Sequence, residues 1–228
     1  MFWQDDEQKK PGYQVPDDVV DLSYRIGCRT LPLDHAYSLS RALQQALPWL
    51  VDEPTAGIHL IHGAESGNGW YRPEDSESAL LHLSRRARMM LRLPKERVAQ
   101  ARGLEGAELD IQGHRLSVGS AEVKRLSSLA TLFARYVAIE DALEEAVFLR
   151  RVMDELATLG LEVRKLMCGR EHSFRTPDGT IRTRAVMVAD LEPEQSVLLQ
   201  QKGIGSRQKM GFGLFIPHKG IKPVKETH

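Results

Sequence analysis

Residues Asp141–Leu159 read DALEEAVFLRRVMDELATL. The apolar positions Ala142, Ala146, Leu149, Val152, Met153, Leu156 and Leu159 recur every three or four residues, so they share one face of a helix. Gly160 then supplies a stop, because glycine takes the left-handed conformation that ends helices at little cost. Working outward, Leu129–Ile139 before this helix is strand-like. After it, Val163–Cys168 and Ile181–Val188 read as two strands of a hairpin around the turn Thr176-Pro177-Asp178-Gly179. Glu192–Gln201 reads as a second helix and Phe212–Pro217 as a last strand. The order β-α-β-β-α-β is the ferredoxin-like plan.

The first half fits the same plan. Val19–Thr30 mixes alternation with β-branched residues and reads as a strand. Leu33–Leu50 keeps Ala36, Leu39, Leu43, Ala46 and Leu50 on one helical face, with Asp34 as the expected N-cap and Pro48 limiting the end. Ile58–His62 is a short strand, and Gly63–Asp75 is rich in Gly, Asn, Ser and Pro and reads as a loop. Ala79–Leu93 is ambiguous between strand and helix, and is taken as a strand because the plan needs one before Pro94. Lys95–Arg102 fits a short helix and Arg115–Leu126 a strand. The expectation is an α+β protein of tandem ferredoxin-like (RRM-like) domains, residues 1–126 and 127–228, with no visible repeat of sequence.

Hydrophobic residues make up 42% and charged residues 27% of 228 residues, which supports a globular chain rather than a disordered one. No apolar run approaches the roughly 20 residues of a membrane helix. The opening MFWQDDEQKK carries acids where a signal peptide needs a basic flank and an apolar stretch, so a cytoplasmic protein without a membrane partner is expected. Cys28 and Cys168 stand far apart, outside any CxxC or His/Cys cluster, which predicts neither a disulfide framework nor a metal site. The 31 basic and 31 acidic residues cancel, but they are segregated. Arg85, Arg86, Arg88, Arg92, Lys95, Arg97 and Arg102 face only Glu96 within Ala79–Arg102, and Lys202–Lys225 holds six basic residues and no acid. Segregation of this kind predicts a basic surface that collects phosphate backbones.

The segment Gln201–Pro217, QKGIGSRQKMGFGLFIP, brackets a small basic loop with glycines. Gly203, Gly205, Gly211 and Gly213 allow positive φ and close backbone approach, leaving amide N–H groups to face an anion. Ser206, Arg207 and Lys209 add polar and charged groups at the same place. Helix, G-x-G, basic loop, G-aromatic-G and apolar strand together resemble the C-terminal glycine-rich loop of the RAMP superfamily. The resemblance is greatest to its CRISPR repeat-processing endoribonucleases, in the branch first noted in myxobacterial type I systems.

That resemblance implies a chain that binds the stem-loop of a CRISPR repeat in precursor RNA. It implies cleavage on the 3′ side of the stem without metal or other cofactor, leaving a 2′,3′-cyclic phosphate and a 5′-hydroxyl. It also implies product retention and a place among the other subunits of a type I surveillance complex. A histidine near the join of the first strand and first helix acts in many members, and Asp34-His35-Ala36-Tyr37-Ser38 stands there in this sequence. RNA carries its own nucleophile, so a base for the 2′-hydroxyl, an acid for the leaving oxygen and a cation for the phosphorane suffice. Imidazole suits both proton tasks near neutrality. His35 is therefore expected as general base, with Tyr37 and Ser38 as hydroxyl donors and His172 as the rival histidine. His59 and His62, three apart in a strand, are expected to face opposite sides. Arg170, Arg175, Arg182 and Arg184 on the second-half hairpin are expected to clamp the stem, since A-form RNA is read mainly by backbone and shape. The alternative is a non-catalytic RAMP subunit that binds guide RNA. No P-loop or dinucleotide fingerprint favours a small-molecule nucleotide enzyme.

Overall fold

The alternating apolar stretches of the first half pair into a five-stranded antiparallel sheet in a computed structural model, which describes residues 13–63, 79–140, 142 and 144–218. Its elements are β1 (Val19–Gly27), β2 (Thr30–Pro32), α1 (Ala36–Ala46), β3 (Gly57–His59), β4 (Leu80–His82), β5 (Arg88–Pro94), the single-turn α2 (Val98–Ala101), β6 (Glu108–Ile111) and β7 (His114–Arg125). The sheet order is β3-β5-β1-β7-β6, while β2 and β4 form a separate two-stranded ribbon. The second half holds β8 (Leu132–Val137), α3 (Glu145–Thr158), β9 (Lys165–Thr176), β10 (Gly179–Ala189), α4 (Pro193–Lys202) and β11 (Ile216–Pro217), with sheet order β11-β8-β10-β9.

Leaving out β6, the first sheet runs β7-β1-β5-β3 and matches the second strand for strand. Both have the order of a β-α-β-β-α-β unit, so the chain is a tandem ferredoxin-like protein. Among the described residues no helix is long and apolar enough to cross a membrane.

Several local expectations change. The segment Ala79–Leu93 is two strands, because the turn at Ser84–Ala87, closed by Ala87 N–H on the Ser84 carbonyl, interrupts it. The strand β6, which pairs with β7 through alternating buried Leu109 and Ile111, was not expected. Helix α3 buries Phe148, Val152 and Leu156, a strict four-residue stripe led by its aromatic ring, and leaves Ala146 and Met153 exposed. His35, not Asp34, occupies the N-cap position of α1; the Asp34 carboxylate instead accepts the Arg175 amide of β9 at 2.7 Å.

That bond is one of several that join the halves. Phe174 of β9, Phe212 of the C-terminal loop and Ala138 are buried in the same core as Leu22, Tyr24, Leu39, Leu43 and Ile58. Each such large side chain removed from water contributes about 1.5–3 kcal/mol. A polar tie crosses the same seam. Arg92 of β5 is 1% exposed and donates both to the Asp21 carboxylate of β1 and to the carbonyls of Gln200 and Phe215. His59 of β3 meets the same carboxylate at 3.3 Å.

Candidate functional site

His35 lies in the interior, 3% exposed. Its Nδ1 is 2.9 Å from the Pro32 carbonyl, and its Nε2 is 3.2 Å from the Ile61 amide. A carbonyl can only accept and an amide can only donate, so Nδ1 carries the hydrogen and the Nε2 lone pair is in use. In this arrangement the imidazole is neutral and has no lone pair to offer a 2′-hydroxyl. The expected general base is thus a clamp between the turn before α1 and the end of β3. Ser38 is half-buried and donates its hydroxyl to the His35 carbonyl at 3.1 Å, while Tyr37 is half-buried in the first turn of α1.

The glycine-rich loop also departs from expectation. Gly203, Gly205, Gly211 and Gly213 all have positive φ, but their amides turn inward. Gly213 N–H donates to the Tyr136 carbonyl at 2.7 Å, Ser206 N–H to Ala138 at 3.0 Å and Ile204 N–H to Gly213 at 3.1 Å. Gly205 N–H meets the Glu155 carboxylate of α3, and the Lys209 ammonium meets the Val51 carbonyl. A Cβ on Gly213 would stand 1.8 Å from the Ile204 oxygen, and one on Gly211 2.5 Å from the Leu60 side chain. The glycines therefore let the loop lace onto β8 and onto the residues after β3; they do not expose a row of amides. Arg207 is exposed, itself in the left-handed region at φ 67°. The Ser206 hydroxyl oxygen is buried with no hydrogen-bond partner among the described residues.

The basic segments are partly spent in pairs. Arg92 meets Asp21, Lys95 meets Asp17, Arg97 meets Glu53 and Arg102 meets Glu105. The expected basic face over Ala79–Arg102 shrinks to Arg85, Arg86 and Arg88. On the hairpin, Arg184 contacts Glu145 and Glu171, and Arg182 lies 3.9 Å from Glu171. Arg170 and Arg175 are exposed.

What the fold does bring together is a set of rings at the seam. Tyr136 of β8 has its ring centroid 5.4 Å from His172 of β9 and 6.4 Å from His62, just past β3. Phe174 packs edge-on to Tyr136 at 4.8 Å and continues the contact to Phe212, also at 4.8 Å. Phe174 and Phe212 are buried, Tyr136 and His172 half-buried and His62 exposed. The set thus runs from core to surface. His59 and His62 do face apart, toward Asp21 and Tyr136 respectively. Tyr136 was not singled out in the sequence, and His62 was weighed only against His59. The available signals were an imidazole immediately after a short apolar strand and a tyrosine within LATLFARYVAI. Among the described residues no three His, Cys, Asp or Glu side chains gather as a metal-ligand set.

Two paired ferredoxin-like units with imidazoles at their seam are thus the frame of the candidate site. Residues 20–220 match the family model described as Cas6 Crispr. The chain is 34% identical over 198 residues to the CRISPR-associated endonuclease Cas6 of Myxococcus xanthus (strain DK1622), covering 87% of this chain and 81% of that protein. It belongs to the Cas6 family of CRISPR-associated endonucleases. In fold it is similar to a solved CRISPR associated protein Cas6, with TM-score 0.60 and 13% identity over 88% of this chain and 100% of that one. It is also similar to a solved RAMP protein binding different RNA substrates, with TM-score 0.58 and 13% identity over 86% and 98%.

Proposed function

We propose that this chain is an endoribonuclease that binds CRISPR repeat hairpins in precursor RNA and cuts on the 3′ side of the stem without a metal ion. The observation that carries the reading is the seam itself: in a chain of this family, two imidazoles, His62 and His172, approach one tyrosine, Tyr136. Such groups can move protons and hold a phosphate, and RNA supplies the rest. The 2′-oxygen attacks the adjacent phosphorus, the bond to the 5′-oxygen breaks, and a 2′,3′-cyclic phosphate and a 5′-hydroxyl are left. Arg170, Arg175 and Arg207 would hold the backbone, with the Tyr37 hydroxyl as a further donor. Arg182, Arg184, Ser206 and Lys209, engaged or enclosed by protein, would shape that surface more than touch RNA. His35 and Ser38 would position the turn that leads into it. Product retention within a larger CRISPR complex belongs to the same proposal.

The test is a labelled repeat hairpin incubated with the purified chain in excess EDTA. A single cut with a cyclic phosphate terminus is expected. The burial of His35 favours a second reading, a non-catalytic RAMP subunit that binds guide RNA; tight binding with an intact hairpin would establish it in place of the first.

A further inference from the structure

We infer that Arg25 and Arg88 form a phosphate-binding strip on the face of the first sheet turned away from its helices, and that the strip takes the single-stranded RNA flanking the repeat hairpin. The inference rests on the repeat-binding reading and adds to it a second contact, on the first unit rather than on the β9–β10 hairpin.

Side chains alternate across a strand, and the two faces of β1 and β5 have different surroundings. Leu22, Tyr24, Met89, Leu91 and Leu93 point to the helices. All five are fully buried in the core that holds Leu39 and Leu43 of α1, and the Tyr24 hydroxyl donates to the Ala101 carbonyl of α2 at 2.7 Å. Asp21, Ser23 and Arg25, with their β5 partners Arg92, Met90 and Arg88, therefore share the opposite face. The second half covers the first part of that face: Arg92 reaches the Gln200 and Phe215 carbonyls there, and Ser23 is 4% exposed. Past Ser23 the cover thins, and Arg25 is exposed and Arg88 half-buried.

Arg25 and Arg88 are direct cross-strand partners. Like charges so placed destabilise a sheet, and no acid relieves this pair. Among the described residues no carboxylate forms an ion pair with Arg25, Arg85, Arg86 or Arg88, whereas Arg92, Lys95, Arg97 and Arg102 further along the same segment each have one. Glu122, on the same face opposite Ser23, makes none either. The Arg88 Nη1 donates to the Ala87 carbonyl at 2.8 Å and to the Arg85 carbonyl at 3.3 Å. Those bonds orient the guanidinium without cancelling its charge. Arg85 and Arg86, exposed in the turn that leads into β5, add two cations at the same end. A phosphate between the two strands turns the repulsion into two charge-assisted contacts, for which the guanidinium fork is well shaped.

The face also selects the form of the RNA. Neighbouring strands lie about 4.8 Å apart, so the pair offers a strip two strands wide, room for one nucleic-acid backbone and not for the two of a stem. The register positions of this face hold no Phe, Tyr or Trp on which a base could stack, so the strip holds phosphates and reads no sequence. It adjoins the seam as well. The strand β3 pairs with β5 through His59 and Met90, and three residues later the chain reaches His62.

The experiment measures binding of two RNAs that carry a 2′-deoxy nucleotide at the cut, which blocks cleavage: the bare repeat hairpin, and the same hairpin with single-stranded flanks. The full native chain, Arg25→Gln and the double variant Arg25→Gln with Arg88→Gln are compared over a salt series, with melting curves to establish that each variant is folded. The native chain is expected to bind the flanked RNA more tightly than the bare one, and by the same factor for flanks of two different sequences. In the double variant that gain should disappear. Its slope of log affinity against log salt on the flanked RNA should be shallower by about 1.4, at about 0.7 for each single-strand phosphate. Arg25→Gln alone, which leaves the bonds of Arg88 to its turn intact, should be shallower by about 0.7. Flanks that add nothing to native binding, a gain that depends on flank sequence, a full gain in folded Arg25→Gln, or an equal loss on the bare hairpin would overturn the strip while hairpin binding by the native chain stood. A native chain that binds neither RNA would overturn the repeat-binding reading and the strip together.

Discussion

Arg92 is the residue whose removal should damage the fold most sharply. It is 1% exposed and makes four donations: at 2.9 Å to each Asp21 oxygen and at 2.8 Å to the Gln200 and Phe215 carbonyls. Arg92→Met keeps most of the volume but strands the Asp21 carboxylate and two carbonyls. Breaking a buried pair from one side costs about 3–5 kcal/mol, because the remaining charge is left uncompensated. At 2–4 °C per kcal/mol for a chain of this size, the melting temperature should fall by roughly 6–20 °C. Asp21→Leu with Arg92→Met removes both charges and should recover most of the loss, since an apolar pair can replace a buried ion pair at little cost. The same tie sets a pH dependence. Burial pushes the Asp21 carboxyl up, but Arg92 and His59 outweigh it and hold the group well below the usual carboxylate range. A depressed pKa contributes stability that is complete above the unfolded value of about 3.9 and is lost as pH falls below it toward the folded value. Asp21→Asn should therefore flatten the acid limb of the stability curve. Thermal and urea unfolding measure all three variants. An Arg92→Met loss below about 1 kcal/mol, or a double variant no more stable than Arg92→Met alone, would refute the reasoning.

Gly213→Ala should cost more than about 2 kcal/mol by urea unfolding, because φ of +70° is unfavourable for an L-residue and the new Cβ meets the Ile204 oxygen. His35→Ala should lower stability by about 2–4 kcal/mol through a lost buried ring and two lost hydrogen bonds, yet reduce the single-turnover rate less than tenfold below its melting point; a folded variant slowed by 10³ would restore His35 as the base. Arg170→Ala should weaken hairpin binding across repeat sequences and reduce the slope of log affinity against log salt by about one, as loss of a phosphate contact does; an unchanged slope would remove Arg170 from the interface.

The pattern of strands and helices was readable because each element has its own period. Helices α1 and α3 each carry one buried face that neighbouring segments do not blur. The strand β6 was not readable, because only Leu109 and Ile111 declare it. The face of α3 was misjudged because Ala146 and Met153 count as apolar in a pattern, whereas Phe148 is what the core accepts. The site was less legible than the fold. Whether an imidazole does chemistry or fills a structural gap depends on partners far along the chain, and His35 meets Ile61 from 26 residues away. The same holds for His62, Tyr136 and His172, which only the sheet order and the domain seam bring within ring contact. Asp21 and Arg92 were visible as charges inside VVDLSY and RMMLRLP, but a charge in an apolar strand does not say which charge it meets.

The most direct measurement is the fate of a 5′-labelled repeat hairpin incubated with the native chain in excess EDTA. One product cut at the 3′ side of the stem, ending in a cyclic phosphate that acid opens, is predicted. A hairpin that stays bound and whole, or one cut only after a divalent cation is returned, would contradict metal-free cleavage by this chain.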